Sequence, residues 1–309
     1  MLSPAIADIL PGFRRMGYTP HFSESALHPM PPTGNLQPCG TSELLAADEP
    51  APFSILNPDS VKPALLVCDH ASRIFPRALG DLGLDPLARR CHLAIDIGAE
   101  ALTIQLARSL GVTAVLAGYS RLVVDCNRHL LDPGAFLEFG DGIVVPGNRN
   151  LAAGQKALRA KAIYWPYHDA IDAEIKRLAG RGFSPAVIAI HSFTPVLDGV
   201  SRPWEFGVLW DADRRISDIL LRTLADAGFT VGDNEPYSGR APQDFTIDNH
   251  AEAAGLPHVG IEVRQDLIDH NEGVRKVAGI LHEIIERIPP AVFGESPPGA
   301  AVPRHVRRG

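Results

Sequence analysis

Cysteine is scarce. Cys39, Cys68, Cys91 and Cys126 are scattered through 309 residues without a C-x-x-C pair. That excludes a disulfide framework and a zinc ribbon, and it fits reduced thiols in the cytoplasm. Positive charge is short as well: 29 Lys and Arg against 36 Asp and Glu leave a net charge of −7. Neither nucleic acid nor an anionic membrane is attracted to such a chain, so both are excluded as partners. No apolar stretch reaches the roughly eighteen residues that span a bilayer. The first apolar run holds Asp8 and has no basic residue ahead of it, which argues against a secretory signal. With 45% hydrophobic and 21% charged residues, a wholly disordered or fibrous chain is excluded too.

What is present is a long alternating middle between two dissimilar ends. Residues 1–55 are rich in Pro, Ser and Gly and read as a loosely ordered extension, with a short marginal helix near Ser3–Phe13. Residues 289–309 carry Pro-Pro twice and read as a flexible tail. Within 56–288, Ala64–Cys68, Ala114–Tyr119, Ala186–Ile190, Phe206–Trp210 and Val259–Val263 are short apolar runs that predict buried strands. Helical spacing fills the intervals. Leu102, Leu106 and Leu110 form a stripe stopped by Gly111, and Ile171, Ile175 and Leu178 belong to a helix that kinks at Pro166. Ile216, Ile219, Leu220 and Leu224 form a third stripe closed by Gly228, and Val274 to Ile288 a fourth. Strands alternating with helices predict an α/β domain whose mostly parallel sheet is covered on both faces, with its site beyond the carboxyl ends of the strands.

That rule singles out Asp69-His70 after the first strand and His191-Ser-Phe-Thr-Pro195 after the third. Two imidazoles leaving buried strands suit one zinc ion, which in a catalytic site takes three protein ligands and keeps a position open. The competing reading makes each a strand-end histidine bonded to backbone. Asp96, just ahead of a strong helix, is either the third ligand or that helix's N-cap. His92 is the competing ligand. Glu262 lies in the apolar run Val259–Arg264, where an unpaired carboxylate is expensive. Alternation places Arg264 on the same face. The two form either a structural ion pair or a general base with a substrate-orienting arginine. Arg121, Asp125, Asn127 and Arg128 gather after the second strand and suit an anionic substrate, provided the strand has ended by then; otherwise they are a surface salt-bridge cluster. Arg159 with Tyr164–His168 reads as an aromatic patch or as core, and Arg202-Pro-Trp204 as a turn. Gly232–Gly239 reads as a loop from which Tyr237 closes over a substrate, or as a loop only.

Nine segments in order resemble the N-formylglutamate amidohydrolase family. They are Asp69-His-Ala-Ser72, Asp96-Ile-Gly-Ala99, Tyr119-Ser-Arg121, Asp125-Cys-Asn-Arg128, Pro166-Tyr-His168, His191–Pro195, Arg202-Pro-Trp204, Gly232–Tyr237 and Glu262–Asp266. That family is in turn similar to the zinc carboxypeptidases. The resemblance implies a three-layer α/β/α sandwich with a mostly parallel mixed sheet, and a Zn2+ or other divalent ion on His70, Asp96 and His191. Asp96 is chosen because Arg73 stands where the peptidases place a ligand Glu. It implies Glu262 as the catalytic base acting on metal-bound water. It also implies Asn127 and Arg128, with Arg121, Arg264 and Tyr237, as residues binding a small anionic substrate. N-formyl-L-glutamate or a similar N-acyl acidic amino acid, releasing formate, is the implied chemistry. A related deacylase, a carboxypeptidase-like peptidase and a metal-free carboxylate-binding protein are the alternatives.

Overall fold

The computed structural model describes residues 43–294. The short helix expected near Ser3–Phe13 and the tail past 294 lie outside them. The compact unit starts at Glu43, ahead of the boundary read at 55, and its first strand is Phe53–Leu56 (β1).

The chain continues through Ala64–Cys68 (β2), Ala99–Leu110 (α1), Thr113–Ala117 (β3) and the small hairpin Phe139–Gly140 and Ile143–Val144 (β4, β5). Helices Ala153–Arg159 (α2) and Trp165–Ala179 (α3) follow, then Ala186–Phe193 (β6) and a second hairpin, Val196–Leu197 and Val200–Ser201 (β7, β8). Phe206–Leu209 (β9), Ser217–Asp226 (α4), Val231–Asp233 (β10), Phe245–His250 (α5), His258–Arg264 (β11) and Asn271–Ile285 (α6) complete it.

Seven strands form one sheet in the order β1-β3-β2-β6-β11-β9-β10. The central run β3-β2-β6-β11 is parallel, β1 and β9 pair antiparallel with their neighbours, and β10 lies parallel to β9. Every residue of β2, β3 and β6 is buried, because helices cover both faces. Leu65, Val67, Val187 and Ala189 pack under α3 with Ile171, Ile175 and Leu178, while α1 packs against β2, β3 and β6 and is itself covered by α6.

Two strands of this sheet are absent from the sequence reading, as are the two small hairpins. β1 is a half-exposed edge, and β10 is three residues with a central glycine. Neither buries both faces, so neither has the continuous apolar run that marks the centre. The irregularity assigned to Pro166 falls one turn earlier. Residues Ala160–Tyr164 form a π-helical turn and Pro166 sits in the first turn of α3, where its missing N–H costs least.

Candidate active site

The candidate residues gather at the carboxyl edge of the parallel run. β2 ends at Cys68, so Asp69 and His70 leave its tip. β6 runs on to Phe193, which places His191 within its strand and corrects the reading that put it after the strand. Ser192 and Phe193 continue to pair with Val263 and Arg264 of β11, and the same register sets His191 beside Glu262. Asp96 comes from the approach to α1. The chain turns at Gly98, whose φ is +81°, and a Cβ there would stand 2.2 Å from the Ile268 carbonyl oxygen. Gly98 itself occupies the N-cap position without a side-chain bond. Asp96 is therefore free of the capping role and points inward.

His70, Asp96 and His191 meet as a buried trio whose ligand atoms lie within 4.8 Å of one another. Both imidazoles turn Nδ1 to one oxygen, Asp96 Oδ2, at 3.2 Å from His70 and 3.0 Å from His191. Their other nitrogens have separate carboxylate partners: His70 Nε2 is 2.8 Å from Asp125 Oδ1 and His191 Nε2 is 3.4 Å from Asp69 Oδ2. Asp69 is fixed in turn by the Thr246 hydroxyl, which donates to Oδ1 at 2.6 Å. Arg121 donates to Asp125 Oδ2 at 2.8 Å and to Asp96 Oδ1 at 3.4 Å.

Burial works against charge on His70 and His191, yet their carboxylate partners outweigh it and raise both pKa values. Burial likewise opposes ionisation of Asp96 and Asp125. His70 and His191 overcome it for Asp96, and Arg121 and His70 for Asp125, so both stay low. The donor set fits a divalent cation. Carboxylates face both outer nitrogens, Asp125 by a hydrogen bond to His70 and Asp69 at ion-pair distance from His191, which leaves the two inner Nδ1 atoms and a carboxylate oxygen to converge on one point. With neutral imidazoles, Asp69, Asp96 and Asp125 against Arg121 leave two negative charges in a dry place, a deficit that a divalent ion cancels. Two nitrogens and one carboxylate are donors that zinc takes readily.

Glu262 stands beside this trio with 6% of its surface exposed, and its Oε2 has no hydrogen-bond partner. Burial pushes its carboxyl up to about 8. Arg264 is not its partner. β11 ends at that residue, and the guanidinium turns to Asp266 at 2.7 Å and to the carbonyl oxygens of Pro203 and Trp204. It does not line the cleft that opens over the trio.

That cleft holds about 580 Å³, and His92, Arg121, Arg128 and Tyr237 are among the residues around it. β3 stops at Ala117, so the 121–128 segment is a turn as the substrate-binding reading requires. Asp125 is buried rather than part of a surface cluster. Arg128 extends into the cleft and donates to the Gln243 carbonyl oxygen at 2.5 Å. Asn127 also borders the cleft, but its amide is taken: Oδ1 accepts from Thr246 N–H at 2.9 Å, and the side chain also bonds Asp244. Asn127 thus ties the turn to the start of α5. His92 stands apart from the trio and faces Asp141 at 3.1 Å. Tyr237 reaches the cleft because the chain after β10 folds back across the sheet. Cβ atoms at Gly207 and Gly232 would stand 2.4 and 2.3 Å from the Glu235 carbonyl oxygen, so only glycine admits that crossing. Tyr164 and Tyr167 are buried in the core with Arg159.

Sequence reasoning passes over the partners of the imidazoles. Asp69 gives a signal, a carboxylate at the tip of an all-apolar strand. Asp125 and Thr246 meet the site only through the fold.

A parallel-sheet edge with a buried His–Asp–His trio beside a buried glutamate is an arrangement suited to metal-assisted hydrolysis. The family model for N-formylglutamate amidohydrolase matches residues 62–269, and the chain belongs to that family. A solved gene product from Agrobacterium tumefaciens is similar at 35% identity and a TM-score of 0.77, over 81% of this chain and 99% of that one. N-formylglutamate amidohydrolase from Ralstonia eutropha shares the fold at 20% identity and a TM-score of 0.61, over 78% of this chain and 99% of that one. No curated protein sequence matches significantly. No helix among the described residues is long and apolar enough to cross a membrane.

Proposed function

We propose that the protein hydrolyses the linear amide of N-formyl-L-glutamate or a similar N-acyl acidic amino acid, with a divalent ion, zinc by its donor set, held by His70, Asp96 and His191. The observation that carries this reading is the convergence of two Nδ1 atoms and Asp96 Oδ2 beside the buried Glu262, whose Oε2 has no hydrogen-bond partner among the described residues. When bound, the ion supplies Lewis-acid polarisation of the carbonyl and acidifies water. Glu262 takes the proton of the attacking water and returns it to the departing amine nitrogen, a task suited to a carboxyl whose pKa lies well above the usual range. Arg128 holds a substrate carboxylate, Asn127 fixes the turn that carries Arg128, and Tyr237 offers its hydroxyl from the opposite wall. Arg121 holds Asp125 and Asp96 in place. A cytoplasmic location belongs to the same proposal and rests on the sparse thiols, of which Cys68, Cys91 and Cys126 are free.

The test is formate release from N-formyl-L-glutamate by metal-replete protein, with metal content measured on the same sample. Less than about half an equivalent of bound metal, with no formate, overturns the reading.

Two further outcomes follow from the geometry. Asp125→Asn and Asp69→Asn remove the anionic partners of the outer nitrogens, and each is expected to weaken metal binding by about 10–100-fold in a chelator competition. Arg128→Ala loses a charge-assisted contact at a half-buried position, worth roughly 1.5–3 kcal/mol. KM should rise by about 10–100-fold while metal content stays the same. An unchanged KM would remove Arg128 from substrate binding.

A further inference from the structure

Arg202 is a buried cation. It lies just past β8, in the connection to β9, with 9% of its surface exposed. Among the described residues no carboxylate pairs with it. Its Nη1 donates to the Tyr237 hydroxyl oxygen at 2.9 Å, and the guanidinium sits 4.9 Å from the centre of the Tyr237 ring. Three other partly buried arginines pair with carboxylates: Arg121 with Asp125, Arg177 with Glu174 and Arg264 with Asp266. Arg159 is buried without a carboxylate, but three oxygens saturate its fork, those of Val123, Gly147 and the Asn148 side chain. Arg202 has one phenol. A guanidinium withdrawn from water and left without an anion is unfavourable, and such a group is stabilised when an anion arrives with a ligand.

The surroundings indicate where the anion comes from. Tyr237 borders the cleft, and its oxygen already accepts from Arg202, so its own O–H is left to donate on the cleft side. Arg128, which lines the cleft itself, likewise has no carboxylate partner among the described residues, and its bond goes to a carbonyl. In chain and sheet order the two come from opposite flanks. Arg128 follows β3, and Arg202 leads into β9, while His70, His191 and Glu262 belong to the tip of β2, to β6 and to β11 between them.

We propose that the Arg202–Tyr237 pair is the second carboxylate site of the enzyme, selecting N-acyl amino dicarboxylic acids over their monocarboxylate counterparts. Tyr237 touches one carboxylate of the substrate and Arg128 takes the other. Arg202 is a positioning residue: it holds the phenol and supplies, from behind it, the charge that makes the contact selective for an anion. This rests on the hydrolase reading above and adds the residue that sets its substrate class.

The experiment compares N-formyl-L-glutamate with N-formyl-L-glutamine, the same shape without the second charge, on metal-replete protein. The wild type is expected to prefer the glutamate. Arg202→Met and Tyr237→Phe should each reduce the ratio of the two kcat/KM values by about 10–100-fold, with Arg202→Lys recovering part of it. Arg128→Ala should lower both substrates and leave the ratio in place. Melting temperature and metal content are measured for every variant. Should Arg202→Met fail to fold, Tyr237→Phe carries the test, since its ring is partly exposed and changes little in volume. A ratio unchanged in folded Arg202 and Tyr237 variants overturns the proposal, as does an equal loss on both substrates.

A binding arm keeps this separate from the hydrolase reading. Glutarate and its monoamide are compared by the shift each produces in melting temperature. If wild type releases no formate from either substrate, the hydrolase reading fails. The inference about Arg202 then stands only if glutarate stabilises the wild type more than the monoamide does and Arg202→Met abolishes that difference.

Discussion

Glu262→Gln is expected to fold, keep its metal and lose turnover by about 10²–10⁴-fold in kcat. Gln fills the same volume, but it cannot accept and return a proton. The structure sharpens this expectation by removing the structural alternative. Arg264 is paired with Asp266 and not with Glu262, so the substitution breaks no ion pair and orphans no guanidinium. Its effect on stability has the opposite sign. Burial holds the Glu262 pKa at about 8, above the roughly 4.3 of an unfolded glutamate. Such a group favours the fold fully at pH below the unfolded value, and that contribution is lost as pH rises towards 8. Metal-free wild type should therefore lose melting temperature relative to metal-free Glu262→Gln between about pH 5 and 8. Thermal melts of the two proteins across that range, beside kcat at fixed metal content, decide the matter. Near-wild-type turnover would remove Glu262 from the mechanism, and parallel melting curves would remove the unpartnered carboxylate.

His70→Ala and His191→Ala should strip metal and activity together. Each leaves two of three donors, and the loss of affinity should exceed the roughly 10–100-fold attached to an outer partner. Each also leaves Asp96 and one outer carboxylate, Asp125 or Asp69, without the imidazole that offsets their burial. The metal-free variants should consequently melt below metal-free wild type. Asp96→Ala is expected to behave likewise. His92→Ala is the contrast: it faces Asp141 and takes no part in the trio, so full metal retention is expected there. Metal content after dialysis, read for all four variants, tests the set. Retention by Asp96→Ala with loss by His92→Ala would transfer the third position to His92.

The central strands were legible because burial on both faces leaves no room for polar residues. Ala64–Cys68 and Ala186–Ile190 are continuous apolar runs for that reason. The same criterion ended β6 too early. His191 and Ser192 are polar, yet they stay in the strand because Asp96 and the Ile97 carbonyl meet them from the α1 approach. The three trio residues could be named from their place at strand and helix ends. Their partners could not, since Asp125 reaches His70 from 55 positions away, a contact that only the folded order of strands creates. Arg264 misled for a local reason. Alternation holds inside a strand, and β11 stops at that residue. Arg202 looked like part of a turn, and nothing in its neighbours announces that the fold buries its charge.

The long excursion from β3 to α2, which carries Arg121, Asp125 and Arg128, has almost no regular structure apart from one short hairpin and isolated helical turns. It is nonetheless stapled from within. Arg159 on α2 binds Val123, Gly147 and Asn148, and the Asn148 amide donates to the Leu122 and Leu137 carbonyl oxygens. A wall pinned to a core helix opens only when that helix lets go, so its amides around Val123 should exchange with solvent as slowly as those of the helix. A substrate meeting this wall finds it already ordered. Little of the recognition energy is then spent on arresting motion, and weak contacts with a small acid can yield useful affinity. The excursion is also a poor place for inserted residues, despite its loop-like sequence. Length added between Leu122 and Asn148 would slacken the staple, and the loss would appear first as poorer substrate recognition, before the protein melts any sooner.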